Sequence, residues 1–292
     1  QFSENESTRN ENVLYNDLFF NDFLDLILLS QSHNGWYTPE QVYFAVNSWA
    51  EALTEENLNQ WLSAYDLKEI EPKTVGLILA GNIPLVGFHD FLSVLISGHK
   101  VLVKTSSNDQ HLLPFLAKYI SKVEPKLADF ITFVEGKLEN FDAVIATGSN
   151  NTARYFEYYF KDKPSIIRKN RNSVAVLTGK ESPEDFHKLG EDIFRYFGLG
   201  CRNVSKLFVP KDYIFDPFFE GIFGHQDVIH YEKYANNYDY NKAVFLMSNF
   251  KLLDNGFLTI KEDSSYSYPI SSVFNEFYED LKDLKKRLAT EK

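Results

Sequence analysis

From residue 11 to 65 apolar positions recur at helical spacing, and from Lys73 onward the period changes to short runs bounded by small residues. In the first stretch "LFFNDFLDLILL" (18–29) carries its apolar residues on one wide face, as a packed helix requires. "TPEQVYFAVNSWAEAL" (38–53) opens with Thr38 in the N-cap position, Pro39 at the first helical position and Gln41 where a capping box closes. These helices are expected to pack and not to do chemistry. The runs that follow, "TVGLILAGN", "KVLVKTSS", "DFITFVEG" and "FDAVIATGS", alternate with helical stretches. That is the rhythm of βαβ units. It predicts a parallel sheet covered on both faces, with ligand sites at the carboxyl ends of its strands. A second block starts near Asn172 with "SVAVLTG", continues through the helical "SPEDFHKLGEDIFRYFG", capped by Ser182 with Pro183 next, and returns to a strand at "VSKLFVP". The domain boundary is therefore placed at about residue 171, and a last helix is expected over "EFYEDLKDLKKRLA" (276–289). No internal repeat or low-complexity segment interrupts this order.

At 292 residues, 44% hydrophobic and 24% charged, the chain has the composition of globular protein and the length of two domains. A net charge of -11 leaves no basic stripe to release counterions from a nucleic acid, so no nucleic-acid partner is expected. The single cysteine excludes an intramolecular disulfide, and no charged-apolar-small signal segment opens the chain. A reducing, cytoplasmic setting follows from both. The longest apolar stretch, "IPLVGFHDFLSVLI" (83–96), is interrupted by His89 and Asp90 and falls short of the roughly 20 residues a membrane span needs. Gln1 opens the chain and Met247 is its only methionine, so a longer natural product is expected. His89, His99, His111 and His187 read as surface or packing residues. No H-E-x-x-H motif or Cys/His cluster signals a metal.

The candidate chemistry gathers at the strand ends. Cys201, in "FGLGCRNVSKLFV" (197–209), lies where a helix ends at Gly198 and Gly200 and a strand begins near Val204. A turn between two rigid elements suits a nucleophile, and a lone cysteine also suits the role of a small buried apolar residue. Asn82 at the end of "TVGLILAGN" is either an amide donor or a turn residue ahead of Pro84. Lys104 is a ligand-reaching cation or a solvated strand end. Thr147, Gly148 and Ser149 stand at a helix start that suits an anion, and Ser149 suits a plain N-cap equally well.

Taken in order, "AGNIPLVG", "VLVKTSSND", "FVEG", "ATGSN" and "FGLGC" resemble the aldehyde dehydrogenase superfamily, in particular its acyl-CoA reductase branch of the LuxC type. The resemblance spans roughly residues 70–210. It implies an aldehyde dehydrogenase-like α/β fold: N-terminal helices and a parallel-sheet dinucleotide-binding domain over 1–171, then an α/β catalytic domain over 172–292 bearing the Cys nucleophile. Because family members continue with further strands, that second domain is expected to be incomplete. The resemblance makes Cys201 the nucleophile and Asn82 the donor to a thioester oxyanion. It brings Lys104 to the adenosine ribose of the cofactor, and Thr147, Gly148 and Ser149 to its pyrophosphate. In NAD-preferring members a glutamate follows this lysine by three residues. Here Thr105, Ser106 and Ser107 follow it, so a 2′-phosphate is accepted by the two serines and the cofactor is expected to be NADPH, with NADH possible and Asp109 nearby as the one acid. The glutamate that activates water in hydrolytic relatives has no counterpart, since no acid lies between Ile166 and Leu177. Exchange with a thiol remains, as for acyl-CoA or an acyl-carrier thioester, whose phosphates Arg168, Lys169 and Arg171 would meet unless that basic loop is simply solvated. The function implied is NADPH-dependent reduction of a fatty acyl thioester to an aldehyde, at a site between the two domains. Reduction of another acyl donor such as an acyl phosphate, or a non-catalytic role in binding nucleotide or an acyl carrier, are the alternatives. A homo-oligomer is left open.

Overall fold

The computed structural model describes residues 1–3, 6–67 and 70–291. They form two compact units, Gln1–Asn170 and Arg171–Lys292.

The first unit begins with three helices, α1 (Asn16–His33), α2 (Pro39–Ala52) and α3 (Glu55–Leu62). Thr38 caps α2 by accepting from the Gln41 N–H at 3.4 Å, with Pro39 already helical. There follow β1 (Thr74–Ile78), α4 (Phe88–Ile96), β2 (Lys100–Lys104), α5 (Leu112–Val123), β3 (Ile131–Phe133), β4 (Ala143–Thr147), α6 (Asn150–Tyr159) and β5 (Ser165–Arg168). All five strands pair in parallel in the order β3-β2-β1-β4-β5. The chain thus winds outward from β1 first to one side and then to the other, and the crevice for a ligand in such sheets lies at the carboxyl ends around that reversal. One face of the sheet is covered by Phe23 and Ile27 of α1, Phe91 of α4 and Leu112 of α5, packed on Leu77, Val101 and Val103. A smaller cluster of Leu138, Phe141, Val144 and Ala146 forms apart from it. Removing such side chains from water is the main term holding the layers together.

The second unit contains β6 (Ser173–Val176), α7 (Pro183–Phe194), β7 (Val204–Pro210), α8 (Asp216–Ile222), α9 (Glu232–Met247), β8 (Leu252–Asp254), β9 (Thr259–Glu262), β10 (Ser272–Tyr278) and α10 (Leu281–Thr290). Its sheet runs β6-β7-β10-β9-β8, parallel except for β8 against β9 at the edge. Ser182 and Asp185 close a capping box on α7. Strand β7 is buried from Val204 to Val209, and even its Lys206 is fully enclosed. That charge is tolerated because Glu276 pairs with it at 2.6 Å and the Ser264 carbonyl accepts from it at 2.8 Å.

The last helix is shorter than its periodicity suggested. Glu276, Phe277 and Tyr278 belong to β10, held extended by register pairs with Phe208, Val209 and Pro210. The helix starts only at Leu281, after Asp280 has accepted from the N–H groups of Lys282 and Asp283. Pairing with a distant strand overrode a local pattern. Among the described residues no helix is long and apolar enough to cross a membrane, and no group of three or more His, Cys, Asp or Glu is placed to hold a metal ion.

Candidate functional site

In the first unit the predicted site residues lie on the segments that leave the carboxyl ends of β1, β2 and β4. After β1 the chain passes Gly81 and the exposed Asn82, then turns through Leu85, whose φ of 56° is left-handed, into α4. After β2, Lys104 and Ser106 are half-buried and Ser107 is exposed. The Ser106 hydroxyl accepts from the Asn108 N–H at 3.2 Å, and its carbonyl accepts from the Asp109 N–H at 3.1 Å. These two loops touch. A Cβ built on Gly81 would lie 2.7 Å from Ser106 Cβ and 2.8 Å from its Oγ, so only glycine permits the approach.

Asp109 does not face outward beside Lys104. It is buried, and desolvation pushes its carboxyl up to about 6. The same burial, with the nearby Asp109 charge, holds the Tyr37 phenol far above its ordinary range.

After β4, Thr147 stands in register with Arg168, and the Gly148 N–H donates to the Arg168 carbonyl at 3.1 Å. The Ser149 hydroxyl accepts from the Thr152 N–H at 3.2 Å as N-cap of α6. Sheet and cap therefore use two of the groups expected at a pyrophosphate, and the donors that remain at this helix start are the orphan N–H groups of its first turn. After β5, Arg168 is joined to Asp90 at 2.7 Å and Lys169 to Glu157 at 2.6 Å. Of the three basic residues expected to meet carrier phosphates, these two already hold acids.

In the second unit the thiol is presented by a hook. Beyond α7, Tyr196, Phe197 and Gly198 adopt φ values of 53°, 58° and 76° in succession. Left-handed backbone costs an ordinary residue about 1–2 kcal/mol, and here it is offset by specific contacts: Phe197 stacks on Tyr231 at 4.4 Å and Tyr268 donates to the Gly198 carbonyl. The turn Gly200–Asn203 is closed twice, by the Asn203 N–H to the Gly200 carbonyl at 3.0 Å and by the Gly200 N–H to Asn203 Oδ1 at 2.7 Å. Asn203 Nδ2 anchors it to the Asp192 and Arg195 carbonyls, each at 2.9 Å. Cys201 sits exposed at the corner and not buried as a small apolar residue. Asn203 escaped the reading of the sequence, although an Asn closing a tight turn after glycine is a recognisable signal.

Residues 54–217, more than half of the chain, match the acyl-CoA reductase (LuxC) family. This chain belongs to that family. Asn82, Lys104, Ser106, Ser107, Thr147, Gly148, Ser149 and Cys201 all lie inside the match, whereas α1 and α2 precede it. No curated protein matches the LuxC-family chain. Among solved structures it is similar to an aldehyde dehydrogenase from Bacillus cereus in complex with NAD+, with 14% identity over 94% of this chain and 67% of that one at a TM-score of 0.62. KauB, an aldehyde dehydrogenase from Pseudomonas aeruginosa, has 14% identity over 92% and 66% at 0.63. The indole-3-acetaldehyde dehydrogenase AldA of P. syringae has 14% identity over 74% of this chain at 0.58. The fold is thus that of the aldehyde dehydrogenases, and the chain spans about half, 54%, of the length of AldA.

Proposed function

We propose that the LuxC-family chain reduces a fatty acyl thioester, of CoA or an acyl carrier, to the aldehyde with NADPH, through an acyl group carried on Cys201. The observation that carries this reading is the exposed thiol at the corner of a doubly closed turn, inside the family match. The Cys201 thiolate adds to the thioester carbonyl, forming a C–S bond and an oxyanion. The side-chain amide of Asn82 and the N–H of Cys201 donate to that oxyanion, and neutral donors suit the task because they stabilise developing charge without titrating. Collapse breaks the bond to the donor's sulfur, which leaves as a thiolate and takes up a proton, and the acyl-enzyme remains. The hydride that converts the acyl group into aldehyde and frees the thiol is what the cofactor supplies when bound. Without an acid between Ile166 and Leu177 to activate water, hydrolysis does not compete from the position used by hydrolytic enzymes.

The strand ends fit a dinucleotide. Lys104 and the exposed Ser107 are the groups to hold a ribose phosphate, with the Ser106 hydroxyl beside them, and Thr147, Gly148 and Ser149 open the helix whose first turn suits a pyrophosphate. Relatives solved with NAD+ support a nicotinamide cofactor. NADPH is preferred because Asp109, the acid in the loop after Lys104, faces inward, leaving no exposed carboxylate there to repel a 2′-phosphate; NADH is the second choice. In this reading Gln1–Asn170 is the dinucleotide-binding unit and Arg171–Lys292 carries the thiol in a cytoplasmic enzyme. Mass spectrometry after incubation with acyl-CoA tests it: one acyl adduct is expected on Cys201, and none in Cys201→Ala, whose NADPH affinity stays within a few-fold. An adduct that persists in the variant overturns the assignment.

A further inference from the structure

The Asn82 turn and the Ser106–Asp109 loop are tied together from outside the family match. Asn34 follows the last residue of α1 and is buried. Its Nδ2 has two hydrogens and two partners, the carbonyl of Gly81 at 3.3 Å and that of Asn108 at 3.1 Å. Its Oδ1 accepts from the Trp36 N–H at 3.0 Å, so every part of the amide is engaged. Three residues on, the buried Tyr37 donates to the Ile83 carbonyl at 2.9 Å, on the other side of Asn82 from Gly81. Asp109, at the end of the second loop, is buried, and its backbone N–H closes that loop onto the Ser106 carbonyl at 3.1 Å. Asn82 is therefore bracketed on both sides by bonds from one short segment, and the same segment grips the loop that bears Ser107.

We propose that Asn34 is a positioning residue that sets the spacing between the Asn82 turn and the Ser106–Asp109 loop, an inference that rests on the reading of Asn82 as oxyanion donor and Ser107 as cofactor contact. A side-chain amide suits this because it can give one hydrogen to each of two carbonyls from a fixed plane. A hydroxyl can serve only one of them, and a carboxylate repels both. Small misplacement of reacting groups is costly in rate, so a clamp of this kind acts on catalysis without touching the substrate. Losing two neutral hydrogen bonds corresponds to an effect of about tenfold.

The test separates clamp from chemistry. Asn34→Asp retains the acceptor for the Trp36 N–H and removes both donors; Asn34→Ser, retaining one donor, is the second variant should the first fail to fold. Ile27→Val, a core change in the same helix at a fully buried position, controls for loss of stability alone. Hydrogen exchange by mass spectrometry should rise in segments 79–88 and 104–112 together in the Asn34 variants, NADPH affinity by fluorescence should weaken about tenfold, and the rate of Cys201 acylation should fall by about the same factor. Ile27→Val should leave all three within twofold. Exchange unchanged in either segment overturns the clamp. Exchange raised in both, with affinity and acylation within twofold of the parent, leaves Asn34 a structural residue only and overturns the positioning role. A parent protein that neither binds NADPH nor acylates on Cys201 overturns the reading of the site and the role of Asn34 in it; the exchange data, which need no chemistry, tell that failure apart from failure of the clamp.

Discussion

The two places where chemistry is assigned are held in opposite ways. In the second unit the Cys201 turn is secured by a residue two positions away: Asn203 bonds to Gly200, Arg195 and Asp192, none more than 11 residues distant. In the first unit the loops bearing Asn82 and Ser107 are secured by Asn34, whose partners lie 47 and 74 residues away. The difference has a physical origin. A hairpin of chain that must present one side chain can be closed by its own neighbours at little entropic cost, whereas two loops leaving adjacent parallel strands have no short path between them and need a third element. Both clamps are neutral side-chain amides, and the regions differ in charge because the loops of the first unit enclose the buried carboxyl of Asp109.

That contrast is sharpest in rate. Asn82→Ala should slow acylation of Cys201 by about 10² to 10³, because an oxyanion donor acts on the transition state and not on the resting thiol, and rapid-quench mass spectrometry would read it. A change below about threefold would return Asn82 to a turn residue and leave the clamp of the first unit with nothing to aim.

A second difference lies in pH. Asp109 has a folded-state pKa of about 6 against an ordinary value of 3.8, so folding favours its protonated form. That stabilisation is complete below about pH 4 and is lost as pH rises through 6. A rise of this size corresponds to roughly 2 to 3 kcal/mol. Asp109→Asn should remove this fall and be the more stable protein above pH 6, as urea midpoints across pH 4 to 8 would show. A variant that loses stability in parallel with the parent would mean that Asp109 is ionised throughout.

The smallest effect concerns cofactor choice. Ser107→Glu places a carboxylate where the 2′-phosphate is expected and offers a grip on ribose hydroxyls, moving the NADPH-to-NADH affinity ratio by about 10- to 100-fold toward NADH. Fluorescence titration of both cofactors measures the ratio. If it does not move, the loop after Lys104 does not face the adenosine ribose, and the long-range clamp of the first unit would serve Asn82 alone.

By itself the sequence determined the alternation of helices and strands up to β4 and again from β6 to β7, while β5 and the elements between 211 and 275 went unread. The β-branched runs became parallel strands because alternation with helices leaves no other pairing for them, and Thr38, Ser149 and Ser182 cap their helices because a cap is settled within three residues. The five motifs also carried the family, and they placed Cys201 on a turn between helix and strand. Only the tertiary structure decided which polar groups are spent within the chain. Asp109 turned inward, Arg168 met Asp90 from 78 residues away, Gly148 gave its N–H to a neighbouring strand, and "EFY" was drawn into β10 by a partner strand some 70 residues earlier. Nothing along the chain singled out Asn34. Each of these outcomes depends on what packs against a group and how far water is excluded, and desolvation is a property of the assembled layers that no local stretch of residues contains.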